Sequence, residues 1–78
     1  MTDKEAVKQL MKDMGWSQAK LASEAGYKYP TNVANMLNRH KGLRIDNMLK
    51  LIQTMGGQIV VRGADGTEYV VTHTEDEE

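Results

Sequence analysis

Between positions 16 and 41 the chain gathers side chains suited to recognition rather than reaction. Asn32, Asn35, Asn38 and Gln18 carry amides, Thr31 a hydroxyl and a methyl, Tyr29 a phenol, and Lys28, Arg39 and Lys41 positive charge. An amide presents a donor and an acceptor side by side, so it can bond N6 and N7 of an adenine together, and a threonine methyl can lie against the thymine methyl. Lysine and arginine neutralise phosphates, which sets affinity and register without reading sequence. Reaction chemistry has no comparable set. The chain has no cysteine, which excludes thiolate metal sites, disulfides and cysteine nucleophiles. His40 and His73 stand alone, without ligand partners at useful spacing. No histidine is paired with a carboxylate in a motif and no glycine-rich phosphate loop occurs, so the expectation is a protein that is not an enzyme and uses no cofactor or metal.

Short helices would have to hold these side chains. Thr2 and Glu5 fit a capping box, and Val7, Leu10, Met11 and Met14 recur as one apolar stripe, with Lys4, Lys8 and Lys12 on the other side. This predicts a helix over about 2–14, ended by Gly15. Ser17 can cap a second helix over 17–25, with Trp16 and Leu21 as a hydrophobic staple and Leu21, Ala22 and Ala25 facing inward; Gly26 breaks it. Tyr27-Lys-Tyr-Pro30 is the connection, and Pro30 suits the first turn of a third helix over 31–40. Val33, Met36 and Leu37 give that helix its buried stripe, while Thr31, Asn32, Asn35, Asn38 and Arg39 cover the rest. Asparagine is a poor helix former, so three of them in one short helix cost local stability, and a surface selected for stability alone would carry other residues.

Ile45, Met48, Leu49, Ile52 and Met55 define a fourth helix over 45–55, ending at Gly56-Gly57. The period then changes. Two β-branched runs, Ile59–Arg62 and Tyr69–Thr72, flank Asp65-Gly66, which reads as a two-residue turn between strands at 58–62 and 68–73. That turn would set Val61 opposite Val70, Val60 opposite Val71, and Arg62 opposite Tyr69, whose ring it would cover. The expected fold is mainly α with a C-terminal β-hairpin, one domain over 1–73, followed by a disordered acidic tail at 74–78.

At 78 residues there is room for one small domain whose core is marginal, so a dimer partner would help to stabilise it. The net charge of -1 conceals an asymmetry. Residues 1–62 hold all 10 Lys and Arg against five acids, Asp3, Glu5, Asp13, Glu24 and Asp46, and residues 63–78 hold six acids and no base. A basic body suits a polyanionic partner. No apolar run is long enough to span a bilayer, and Asp3, Lys4 and Glu5 occupy the place of a signal-peptide apolar segment, so no membrane association is expected and the cytoplasm is the expected compartment.

The second and third helices resemble the lambda-repressor-like helix-turn-helix family, also called the Cro or XRE family. The matching residues are Ser17-Gln18, Leu21-Ala22, Gly26, the Val33/Met36/Leu37 stripe and an apolar fourth helix; the likeness covers about residues 5–56. The whole layout, valine-rich hairpin included, looks like small phage or prophage regulators. The resemblance implies a four-helix bundle that reads double-stranded DNA. Its third helix would lie in the major groove, with Thr31, Asn32 and Asn35 on base edges. Gln18 is similar to the family's backbone-clamping glutamine, Asn38 belongs to the same DNA-binding set, and Arg39, Lys28, Tyr29 and Lys41, with Lys20, His40 and Arg44, fall where phosphate contacts would. One departure stands out: Gly26 to Val33 is one residue longer than the family's usual spacing, which should enlarge the Tyr27–Pro30 turn.

The resulting expectation is a sequence-specific DNA-binding regulator, a repressor in the first instance, acting as a homodimer through the C-terminal hairpin. Two alternatives use the same sequence. The chain could be the antitoxin of a toxin–antitoxin pair, with hairpin and acidic tail against a basic toxin, or a protein-interaction module that reuses the fold without touching DNA.

Overall fold

The fold was obtained as a computed structural model that describes residues 1–75. Four helices precede one hairpin: α1 (Asp3–Met14), α2 (Gln18–Glu24), α3 (Thr31–Asn38), α4 (Ile45–Thr54), β1 (Ile59–Arg62) and β2 (Glu68–Val71). Residues 74 and 75 have no regular secondary structure, and the rest of the tail expected to be disordered lies outside the described residues. No helix is long and apolar enough to cross a membrane among the described residues.

Local signals account for the helix ends. The Thr2 hydroxyl accepts the Glu5 N–H and the Glu5 carboxylate accepts the Thr2 N–H, both at 3.1 Å, which closes the capping box of α1. Ser17 Oγ accepts the Lys20 N–H at 3.1 Å and caps α2. α1, α2 and α4 all end on the same pair of bonds, in which the N–H groups at and after the glycine fold back onto the last turn.

The helices close around one apolar core. It takes Val7 and Met11 from α1, Leu21, Ala22 and Ala25 at α2, Val33 and Leu37 from α3, and Leu51, Ile52 and Met55 at α4, with Trp16, Tyr27, Leu43 and Ile59 packed at its margin. No polar side chain is buried among the described residues. α1 packs on α4, and α2 packs on both α3 and α4.

Two expected core positions are corrected. Met14, at the last turn of α1, lies at the surface, and Ile45, the first residue of α4, is 55% exposed. Leu51, outside the expected stripe, is 0% exposed. The inner face of α4 therefore keeps Leu49, Ile52 and Met55 of the expected stripe, with Met48 half-buried beside them, gains Leu51 and loses Ile45. α3 is also shorter than expected: Arg39 is already extended, at φ −74° and ψ 162°, so the chain leaves the helix there rather than after residue 40.

The hairpin register is one residue off the expected one. Ile59 pairs with Val71, Val60 with Val70, Val61 with Tyr69 and Arg62 with Glu68. The cause is a three-residue loop, Ala64-Asp65-Gly66, closed by a bond from the Gly63 N–H to the Thr67 carbonyl at 2.8 Å. A two-residue turn would put Asp65 in the left-handed region. Here only Gly66, at φ +89°, takes that conformation, and Asp65 uses its carboxylate to accept the Thr67 N–H at 3.0 Å. Arg62 consequently pairs with Glu68, not with Tyr69; its Nε donates at 2.8 Å.

Candidate functional site

The polar face of α3 follows from its sequence period. At about 100° per residue, Asn38, Thr31, Asn35 and Asn32 fall within an arc of about 120°. All four are exposed, whereas Val33 and Leu37 on the opposite side are buried. Ala34 and Met36 sit half-buried at the boundaries. No hydrogen bond within the chain engages the side chains of Thr31, Asn32, Asn35 or Asn38 among the described residues. Their donors and acceptors are free for an external partner. Asn35, Met36, Asn38 and Arg39 line one open hollow.

The turn that presents this face is built from both ends. Gly26, at φ +85°, terminates α2, and the Tyr27 N–H bonds the Ala22 carbonyl at 2.9 Å. A residue with a Cβ at position 26 would meet the left-handed penalty. Tyr27 packs at the core margin, and the Lys50 ammonium sits 4.3 Å from its ring centre. Lys28, Tyr29 and Pro30 then stand at the surface immediately before α3. Pro30 occupies the cap position at φ −58° and ψ −29°, and its carbonyl accepts the Val33 and Ala34 N–H groups. Lys28, Tyr29 and Pro30 are thus an exposed rim carrying one cation and one phenol. The Lys28 ammonium is 5.5 Å from the Tyr29 ring centre.

Gln18 opens α2 and is half-buried. Lys20 lies over Trp16 at 5.0 Å, so the residue that staples the helix also holds this cation. After α3, Arg39, His40, Lys41 and Arg44 are exposed along one loop. Arg39 Nη2 comes within 3.5 Å of the Gly42 carbonyl, and Arg44 is 3.4 Å from Asp46. Arg44 is thereby partly neutralised at the surface, while Arg39 and Lys41 form no ion pair with a carboxylate among the described residues.

Sequence reasoning missed two residues at this site. Asp3 Oδ2 accepts the Leu43 N–H at 2.6 Å, and the Lys4 ammonium donates to the Arg39 carbonyl. Lys4 therefore does not belong with Lys8 and Lys12 on a solvated side of α1. The Leu43 and Lys4 N–H groups hold the Asp3 carboxyl below its ordinary pKa. These bonds join residues 40 and 35 positions apart, and no local pattern announces them. Gly42 was the available signal, because a glycine in a loop often marks close approach.

The arrangement offers unpaired amides on an exposed helix face, flanked before and after by cations. Among the described residues no cluster of histidines and carboxylates could hold a metal ion. No family model, curated protein or solved structure matches the chain.

Proposed function

We propose that this chain is a sequence-specific DNA-binding regulator of the lambda-repressor-like helix-turn-helix type, reading the major groove with α3 and acting as a repressor. The observation that carries the reading is the α3 face: Thr31, Asn32, Asn35 and Asn38 exposed and unengaged, opposite a buried Val33/Leu37 stripe, on a helix packed across a glycine turn on α2. Asparagine amides suit adenine edges, and Thr31 suits a thymine methyl. Lys28 and Tyr29 on one flank and Arg39 and Lys41 on the other suit the two phosphate backbones that border the groove. Gln18, at the start of α2, reaches a phosphate at the groove's edge in this docking.

A single domain of this size makes few contacts, and this motif usually gains affinity by two-fold pairing on two half-sites. The hairpin supports such pairing. The bundle covers only the Ile59–Val71 end of it: Val61 and Tyr69 farther along that face are 55% and 64% exposed, and Val60 and Val70 on the other face are also exposed. A two-stranded hairpin is marginal by itself and leaves unpaired edges. A second copy would cover both deficits. The same exposed valines favour one alternative, a protein partner such as a toxin, bound in place of the second copy.

Amide shift mapping during titration with a duplex tests the reading. Perturbations centred on Lys28–Lys41 and the start of α2 are expected. Perturbations confined to the hairpin, or none, would overturn it.

A further inference from the structure

The α3–α4 loop carries its cations on very little internal support. Residues 39–42 are exposed, and only Leu43 packs at the core margin. Among the described residues no loop or turn bond between backbone groups engages residues 40–43. Beyond the long contact of Arg39 Nη2 with the Gly42 carbonyl at 3.5 Å, what holds the loop comes from the first turn of α1. Asp3 Oδ2 accepts the Leu43 N–H at 2.6 Å, Asp3 Oδ1 accepts the Lys4 N–H at 2.8 Å, and the Lys4 ammonium donates to the Arg39 carbonyl. The Lys4 bond also places a cation at the C-terminal end of α3, where the helix dipole favours it. Gly42 lies so close that a Cβ there would stand 2.9 Å from Asp3 Oδ2.

We infer that Asp3 and Lys4 form a clasp that positions Arg39 and Lys41 for the phosphate backbone, making Asp3 a positioning residue for DNA binding. The inference rests on the DNA reading above. It has a counterintuitive sign. Asp3 is an acid on a basic body, so its removal raises the positive charge, and long-range electrostatics alone predicts tighter binding to DNA. The clasp predicts weaker binding. An untied loop must be ordered anew when it meets phosphate, and that entropy is charged against affinity.

Two variants break the tie by different routes. Asp3→Ala removes the acceptor. Gly42→Ala keeps the charge but pushes the carboxylate off the Leu43 N–H, and because the obstructing atom ends a movable side chain, the fold survives. Ile52→Val, a buried change in α4, serves as a control for lost stability. Each full-length protein is titrated into a random-sequence duplex over a series of salt concentrations. Both clasp variants should weaken binding roughly threefold to tenfold and lower the salt slope by about one to two phosphates' worth, equally on every sequence. Exchange of the Leu43 amide should accelerate in both. Ile52→Val should leave the slope unchanged. Wild-type slopes in both clasp variants, or tighter binding by Asp3→Ala, would overturn the clasp alone. A wild-type protein with no salt-dependent duplex binding would instead overturn the DNA reading on which it stands.

Discussion

Asn35→Ala should stabilise the protein while damaging its function. Asn35 lies at the middle of the exposed α3 arc and uses none of its side-chain hydrogen-bonding capacity within the chain among the described residues. Truncation therefore leaves no orphaned partner. Alanine is the better helix former by about 0.5 kcal/mol. For a domain of this size that raises the melting temperature by about 2 to 4 °C. On DNA the sign reverses. One bidentate contact to adenine contributes about 1–3 kcal/mol of discrimination. A symmetric dimer carries the contact twice, so the loss on a full site is about 2–6 kcal/mol, at least roughly 25-fold in affinity. Binding to random duplex should hardly change, because that mode depends on phosphates. Thermal melts by circular dichroism and anisotropy titrations, on a site selected by the wild-type protein and on random duplex, read the two effects separately. An unchanged ratio of the two affinities would refute the assignment of Asn35 to a base edge. A fall in melting temperature would refute its placement as an unengaged surface residue.

Other outcomes follow from the fold. Leu51→Ala should cost about 2–5 kcal/mol in urea unfolding, as a fully buried leucine does, whereas Ile45→Ala should stay within about 0.5 kcal/mol; equal costs would contradict the observed face of α4. Asp3, Glu5 and Asp65 each accept backbone N–H bonds that hold their carboxyls below the ordinary values. The folded state therefore binds protons less readily than the unfolded chain, and these groups stabilise it above their unfolded values of about 4; that contribution is lost as pH falls through the lower folded values. Melting temperatures should decline across that acid window, less steeply in Asp3→Ala, and a profile unaffected by this change would speak against the Leu43 bond. Val61→Asp should convert a dimer at high micromolar concentration into a monomer with unchanged helix content by sedimentation; a wild-type monomer at that concentration would remove the hairpin interface.

The parts of this fold legible from sequence are those whose causes are local. The Thr2/Glu5 box, the Ser17 cap and the glycine stops each act within a turn, and each is present. In α4 the period marks Leu49, Ile52 and Met55 as buried but fixes neither edge of the apolar face, where Ile45 is exposed and Leu51 buried. Contact with α1 and α2 sets those edges, and that choice is tertiary. The hairpin register turned on whether Asp65 would enter the left-handed region. The Asp65–Thr67 bond and the single positive φ at Gly66 decide it at short range, yet the dipeptide alone fits both loops. At the candidate site the α3 face was readable from its period. The Asp3–Leu43 tie was not, since it depends on two segments meeting in space.

Selection of bound duplexes from a random pool by the wild-type protein asks whether α3 reads sequence as half of a symmetric dimer. Enrichment of a two-fold symmetric site is expected, with half-site centres about one helical turn, roughly 10 base pairs, apart. A pool that emerges without any enriched sequence would contradict that reading.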